Sequence, residues 1–252
     1  KNAKNLEVNE TIGRVETFVT NGQPSEESDV IVTGNAGLRV KARTRNQQRM
    51  VDAVTGHDMV FALGPAGTGK TYTAVALAVR ALRDRSVRRI ILTRPAVEAG
   101  ESLGFLPGDL RDKLDPYLQP LYDALKDMIP PQRLLEHLEG GVIQIAPLAF
   151  MRGRTLDHAF VILDEAQNAT VPQLKMFLTR MGRNAKFMIT GDVTQVDLPR
   201  QQRSGLAPVA ERLRGVPGVA VIDLEEKDII RHELVSRVLE AFKDIEPPQQ
   251  NA

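Results

Sequence analysis

The chain has 252 residues and no cysteine, which excludes thiolate catalysis, disulfides and cysteine-ligated metals. Its 33 lysine and arginine residues oppose 32 aspartate and glutamate residues, so a surface that attracts nucleic acid must be a local patch. No apolar run approaches the roughly 20 residues of a membrane span and the first ten residues are too polar for a signal peptide, which predicts a cytoplasmic protein with no membrane partner.

The first 42 residues differ in pattern from the rest and predict a short N-terminal appendage. Two apolar runs, Val15–Val19 and Val30–Val32, have the composition of short strands, and a polar loop rich in glycine, proline and serine separates them. Residues 43–244 then predict one globular domain. The proline-containing stretch 245–252 predicts a flexible tail.

Within the domain, nearly all-apolar strands alternate with helices. Strands are predicted at Met59–Leu63, Arg89–Thr93, Val142–Ala146, Phe160–Leu163, Lys186–Thr190 and Val219–Ile222. Helices are predicted at Thr44–Val54 with Thr44 or Asn46 as its cap, Tyr72–Arg85, Pro172–Met181, Gly205–Arg214 and Ile229–Phe242. This alternation is typical of an α/β fold with a mainly parallel sheet covered by helices on both faces. A ligand is then expected at the carboxyl ends of the strands.

The octet Gly64–Thr71 has the composition of a phosphate-binding loop and joins a predicted strand to a predicted helix. Its glycines let backbone N–H groups turn inward around an anion, and the next helix presents its positive N-terminal end to the same anion. Lys70 is expected to reach the β- and γ-phosphates of ATP, and the Thr71 hydroxyl is expected to ligate Mg²⁺. The predicted nucleotide-binding residues here are Gly64, Pro65, Ala66, Gly67, Thr68, Gly69, Lys70, Thr71 and Tyr72.

A long excursion from Val97 to Pro131 interrupts the alternation of strands and helices. Glycines and prolines punctuate it, and only two helical pieces, Leu110–Leu114 and Tyr117–Met128, are predicted inside it. Such long, broken insertions rarely serve packing alone, so we expect this one to have a functional role.

Two carboxylates, Asp164 and Glu165, directly follow the strand Phe160–Leu163. Asp164 is expected to hold Mg²⁺ through a water, complementing Thr71. Glu165 is expected to polarise the water that attacks the γ-phosphate. The alternative for such a pair is a solvated strand end or a helix cap.

Three further residues each have a functional and a structural interpretation. Gln195 follows the strand that ends at Thr190 and would report the γ-phosphate, or it is an ordinary loop amide. Arg231 would be an arginine finger for its own or a neighbouring subunit, or it is a surface base. Gln47 would bracket adenine with its amide, or it belongs to the surface of a capped helix.

Several segments together resemble the PhoH-like ATPases, the phosphate-starvation-inducible family of P-loop proteins. They are Gly64–Thr71, Thr93–Glu101 with Leu103–Gly108, Leu163–Asn168, Thr190–Pro199 and Asp228–His232. The resemblance implies a RecA-like core akin to the N-terminal half of superfamily 1 helicases, ATP hydrolysis with Mg²⁺, and a role in RNA metabolism. By the same resemblance Gln47 corresponds to the adenine-recognising glutamine, Gln195 to the γ-phosphate sensor and Arg231 to an arginine finger.

The resemblance also implies a homo-oligomeric ring, for example a hexamer, in which Arg231 acts between subunits. One hypothesis is an oligomeric, helicase-like ATPase that moves or remodels single-stranded RNA, with Phe105 and Phe150 as stacking candidates. Arginines that would line its strand channel, or else form a solvated surface, are Arg94, Arg152, Arg154, Arg180, Arg183, Arg200 and Arg203. A second hypothesis is a nucleotide-dependent switch that controls a partner such as an RNA-processing nuclease through residues 97–131. A small-molecule kinase is weaker, because a kinase usually lacks a water-activating glutamate.

Overall fold

The computed structural model describes residues 30–96, 110–230 and 233–242. The strand predicted at Val15–Val19 and the predicted tail 245–252 lie outside the described residues. The domain boundaries inferred from the sequence stay predictions.

The described residues form eight strands and seven α-helices, numbered here in chain order. The strands are β1 (Val30–Thr33), β2 (Arg39–Lys41), β3 (Met59–Leu63), β4 (Arg89–Arg94), β5 (Ile143–Pro147), β6 (Ala159–Leu163), β7 (Lys186–Gly191) and β8 (Val219–Asp223). The helices are α1 (Arg45–Gly56), α2 (Lys70–Arg83), α3 (Leu110–Met128), α4 (Pro131–Glu139), α5 (Val171–Leu178), α6 (Leu206–Leu213) and α7 (Glu233–Phe242). The six strands predicted from Met59 onward are confirmed to within a single residue at each end. Across the ranges the structure describes, no helix combines the length and the apolar character needed to cross a membrane.

Strands β3 to β8 form one parallel sheet with the order β5-β4-β6-β7-β3-β8. The carboxyl ends of the central strands lie level, because Leu63 pairs with Gly191 and Thr93 pairs with Leu163. The loop after β3, the carboxylates after β6 and the last residue of β4 therefore open onto the same edge of the sheet. This is the edge where a ligand was expected.

Apolar side chains of alternating residues point to opposite faces of the sheet, and helices cover both faces. Val60 and Ile162 belong to the core cluster that also includes buried residues of α1, α2, α3 and α4. Phe61 and Val161 belong to the cluster that includes buried residues of α5 and α6. The predicted α/β fold, with its parallel sheet covered by helices on both faces, is confirmed.

An antiparallel hairpin of β1 and β2 precedes α1 and packs against the core. Ile31 and Val40 are buried in the same core cluster as α2 and α3. The Arg83 guanidinium on α2 donates to the carbonyl oxygens of Thr33 and Met128, both at 2.5 Å, and so ties the hairpin to the end of α3. Strand β2 was not predicted, because its three residues are too few to show an alternation of polar and apolar side chains.

The prediction of two separate helical pieces inside the long excursion is wrong. One helix, α3, runs through Leu110–Met128 and contains Pro116 and Pro120. Leu121 and Leu125 are completely buried on it. Burying a leucine side chain contributes roughly 1.5–3 kcal/mol, which is comparable with the roughly 3 kcal/mol that an interior proline costs a helix. Packing against the core therefore stabilises one continuous helix where the prolines alone predict a break.

Candidate functional site

The loop between β3 and α2 has a backbone that favours glycine. Gly64, Gly67 and Gly69 have φ angles of 155°, 85° and 74°. A Cβ on Gly64 would lie 2.5 Å from the Leu224 carbonyl oxygen, and one on Gly69 would lie 2.8 Å from the Gln47 side-chain nitrogen. The loop leads directly into the N-terminus of α2, whose backbone N–H groups and dipole favour an anion. Its shape and position therefore suit a phosphate group.

Lys70, the first residue of α2, is buried and folds back over the loop. Its ammonium group donates to the carbonyl oxygens of Gly64 at 2.6 Å and Pro65 at 2.7 Å. Burial lowers the pKa of the Lys70 ammonium, and nearby carboxylates, Asp192 most strongly, partly offset this effect. Because an anionic oxygen is a stronger acceptor than a carbonyl, the ammonium is placed to exchange these two partners for phosphate oxygens.

The Asp164 carboxylate lies at the centre of the site and is only 1% exposed. The hydroxyls of Thr71 and Thr190 each donate to its Oδ1 at 2.6 Å. The Arg94 guanidinium donates to its Oδ2, with Nε at 2.8 Å. These donors belong to α2, β7 and β4, so one buried carboxylate joins three elements and is fully satisfied by them.

Thr71 and Asp164 fit the Mg²⁺ site expected from the sequence. Hydroxyl and carboxylate oxygens are hard ligands of the kind that Mg²⁺ prefers. The Thr71 hydroxyl gives its one proton to Asp164, which leaves its lone pairs for a metal. Mg²⁺ sites of this kind use few protein ligands and rely on substrate phosphates and water for the rest.

Glu165 has a left-handed backbone, with φ 53° and ψ 40°. This conformation costs a residue other than glycine about 1–2 kcal/mol, and such strain is concentrated at functional sites. The buried Gln167 amide donates to Glu165 Oε2 at 2.5 Å and accepts from the backbone N–H of Asp192 at 3.0 Å. The Glu165 side chain is still 45% exposed, so a fixed carboxylate remains open to water.

Asp192, which follows β7, connects the phosphate loop to the turn that contains Gln195. Its carboxylate accepts from the Ala66 backbone N–H at 3.0 Å and from the backbone N–H and hydroxyl of Thr194 at 2.9 and 2.6 Å. The Gln195 backbone N–H donates to the Asp192 carbonyl at 3.2 Å, and its side chain is exposed. The γ-phosphate-sensing role of Gln195 stays a prediction, on a turn that contacts the phosphate loop.

The side chains of Gln47 and Tyr72 both form hydrogen bonds within the protein. The buried Gln47 amide donates to the Thr68 carbonyl at 2.9 Å and accepts from the Arg43 backbone N–H at 2.7 Å. The Tyr72 hydroxyl donates to Asp127 on α3 at 3.2 Å. Adenine recognition by Gln47 and nucleotide contact by Tyr72 stay predictions, since both side chains have protein partners here.

Arg231 lies outside the described residues, but the segment that leads to it contacts the phosphate loop. The Ile230 backbone N–H donates to the Gly67 carbonyl at 3.0 Å. Asp228 is buried and accepts from the Asn46 side-chain amide at 2.7 Å. Ile230, the last described residue before Arg231, is thus hydrogen-bonded to the phosphate loop.

Two residues of the site, Gln167 and Asp192, carry no role in the sequence prediction. Arg94 was predicted to line an RNA channel or to belong to a solvated surface, and in the structure its side chain, 14% exposed, binds Asp164. The signal that could have found Arg94 and Asp192 is their place at the carboxyl ends of β4 and β7, the edge that also holds the phosphate loop. Gln167 has the weaker signal of lying two residues after Glu165.

Comparisons with known proteins place residues 39–243 in the family described as PhoH-like protein. The PhoH-like protein of Bacillus subtilis (strain 168) is 56% identical over 212 residues, which are 84% of this chain and 66% of that protein. The PhoH-like protein of Mycobacterium tuberculosis (strain H37Rv) is 52% identical over 228 residues, 90% of this chain and 65% of that protein. The chain thus spans about two thirds of the length of these curated relatives. Among solved structures, the UvsW helicase from bacteriophage T4 is a distant likeness, with a TM-score of 0.46, 14% identity and coverage of 79% of this chain and 64% of that chain.

Replacing Gly69 by alanine should weaken nucleotide binding, whereas the same change at Gly215 should not. Both glycines have positive φ, 74° and 85°, but an added methyl meets Gln47 only at Gly69, and nothing lies within 4 Å at Gly215. Both variants should therefore lose about 1 kcal/mol of stability. Only Gly69→Ala should also lose ATP affinity, by about tenfold or more in titration calorimetry with Mg²⁺, because the added methyl displaces the Gln47 amide that holds the Thr68 carbonyl of the loop. Equal affinities in the two variants would contradict a role for the shape of the loop.

Proposed function

This chain belongs to the PhoH-like protein family, and we propose that it binds ATP with Mg²⁺ at the loop after β3 and hydrolyses it. The observation that carries the proposal is the position of Asp164 beside this loop, hydrogen-bonded to Thr71 and followed by a fixed, water-accessible Glu165. A site for phosphate, a site for a divalent cation and a carboxylate base thus lie at one edge of the sheet.

Binding would begin at the phosphate loop and α2. The loop N–H groups would donate to the phosphate oxygens, and Lys70 would leave the carbonyl oxygens of Gly64 and Pro65 to bind phosphate oxygens. Thr71 and Asp164 hold Mg²⁺, which neutralises phosphate charge when bound. Gln47, bonded to Thr68, keeps the loop in place from the side of α1.

Glu165 would act as the general base in the hydrolysis step. Its carboxylate accepts a proton from a water molecule that attacks the γ-phosphate, and a base of this kind contributes about 10²–10⁴-fold to the rate. The Gln167 amide fixes one carboxylate oxygen, Oε2. The exposure of this side chain lets water reach the other oxygen.

We further propose that the ATPase is homo-oligomeric and acts on single-stranded RNA. A cavity of about 210 Å³ lies at the carboxyl ends of β4 and β5 and is lined partly by Arg152, Gln173 and Met176. The Phe150 ring, on the same turn as Arg152, is exposed. An exposed aromatic ring two residues before an arginine suits base stacking and phosphate contact, which supports the RNA hypothesis.

Helix α7 supports self-association. Leu234, Val235 and Val238 expose apolar side chains on this helix, and exposed apolar patches mark interaction sites. The same surface also fits the alternative hypothesis, in which the nucleotide state controls a protein partner such as an RNA-processing nuclease.

Lys70→Ala and Glu165→Gln should separate binding from hydrolysis. Lys70→Ala should abolish measurable ATP binding, because it removes the cation of the phosphate loop. Glu165→Gln should retain ATP binding while phosphate release falls by on the order of 10²-fold or more. The matched controls are Lys126→Ala and Glu211→Gln, whose exposed side chains lie outside the site and whose activity should equal that of the wild type. An unchanged turnover in Glu165→Gln would remove this residue from the base role.

Single-stranded RNA should stimulate phosphate release at low salt. Because phosphate contacts release counterions, the stimulation should fade between roughly 50 and 200 mM salt. Turnover per subunit should rise with protein concentration as the oligomer forms, followed in parallel by light scattering. Linear, RNA-independent activity from a monomer would contradict the RNA-acting oligomer and would favour the switch.

A further inference from the structure

The Arg94 side chain contacts both carboxylates of the proposed hydrolytic site. It is the last residue of β4, and its guanidinium group donates to Asp164 Oδ2 through Nε at 2.8 Å and through Nη2. Nη2 also lies 3.9 Å from Glu165 Oε1. A planar guanidinium suits such a double contact, because its N–H groups have a fixed fork geometry.

The two carboxylates need such a cation more than an ordinary surface pair does. Asp164 is almost completely inaccessible to solvent, and a buried charge that loses its partner is strongly destabilised. Glu165 follows it directly in the chain and carries the same charge. Without Arg94 the two carboxylates would repel each other and Asp164 would keep only its hydroxyl donors, Thr71 and Thr190.

We propose that Arg94 is a positioning residue of the hydrolysis reaction. Through its ion pair it fixes the position in which Asp164 would hold the metal. It also holds the Glu165 carboxylate in the orientation in which it would accept a proton. Arg94 thus acts through the two carboxylates and not by contact with RNA. This inference rests on the proposed hydrolysis of ATP.

The place of Arg94 in the chain gives this role a further consequence. Pro95 and Ala96 follow it directly and line the same cavity as Arg152 and Gln173. A group that enters the cavity and moves this segment would also move the guanidinium that holds Asp164. The backbone from Ala96 to Arg94, together with the ion pair of Arg94 and Asp164, therefore connects the cavity to the hydrolytic carboxylates.

The test compares Arg94→Met and Arg94→Lys with Arg89→Met as the matched control. Arg89 lies at the opposite end of the same strand, and its guanidinium donates to the Asp157 carbonyl at 3.0 Å, away from the site. Arg94→Met should lower kcat about 30-fold with the Kd for ATP within about threefold of wild type, because the phosphate loop is untouched. Arg94→Lys keeps the positive charge but loses the forked N–H groups of the guanidinium, and should lower kcat by about 3–10-fold. Arg89→Met should keep the wild-type kcat.

A double-mutant cycle with Glu165→Gln shows whether Arg94 acts through Glu165. If it does, Arg94→Met should lower the residual turnover of the Glu165→Gln protein by clearly less than the about 30-fold expected in the wild type, since only the effect through Asp164 is then left. Additive losses would overturn the proposal. If Arg94→Met kept the basal kcat but lost affinity for RNA, the proposal would also be overturned, and Arg94 would be assigned to RNA binding instead.

A second cycle needs no activity and uses the nucleotide-free protein. Arg94→Met should lower Tm by roughly 10 °C, and Asp164→Asn in the same chain should restore most of this loss, because the buried charge is then gone. Independent effects of the two changes on Tm would contradict the ion pair. If the wild-type protein does not hydrolyse ATP, the proposed function fails, and this melting cycle still decides the pairing of Arg94 with Asp164.

Discussion

The buried carboxylate of Asp164 accepts hydrogen bonds from side chains on three elements that are distant in the chain. Thr71 reaches it from α2, Thr190 from β7 and Arg94 from β4. A charge that is inaccessible to water must keep all of these partners, so the relative positions of the three elements are fixed by one group. The site of the proposed chemistry is thus also a point at which the sheet and α2 are held together.

Near Asp164, one residue has a strained backbone, and several donors form hydrogen bonds within the protein that a ligand can replace. Glu165 has a left-handed backbone, and the Lys70 ammonium is bonded to carbonyl oxygens of its own loop. The Asp192 carboxylate accepts a hydrogen bond from the backbone N–H of Ala66, which belongs to the phosphate loop. A ligand shifts such an arrangement only by binding the new one more tightly, and for the Lys70 ammonium a phosphate oxygen is a stronger acceptor than a carbonyl oxygen. The turn with Gln195 is attached to Asp192, so a change at the loop reaches it directly.

The strands and the loop Gly64–Thr71 could be predicted because their signals are local: apolar runs of strand length and glycines at fixed spacing. The continuity of helix α3 could not be predicted, because the burial of Leu121 and Leu125 stabilises it against its prolines. The roles of Arg94 and Gln167 depend on the strand order, which puts β4 on one side of β6 and β7 on the other, and one sequence does not contain that order in any local pattern. Propensity and spacing thus locate the elements, and tertiary contacts decide which side chains meet.

A crystal structure of the protein with Mg²⁺ and a non-hydrolysable ATP analogue tests the central claim most directly. We expect the phosphates in the loop after β3, Lys70 moved from the carbonyl oxygens to the phosphates, and the metal bound to the Thr71 hydroxyl while this hydroxyl still donates to Asp164. A water molecule between Glu165 and the γ-phosphate would complete the arrangement for hydrolysis. An analogue bound elsewhere, or a Lys70 ammonium that stays on the Gly64 carbonyl with nucleotide present, would contradict the claim.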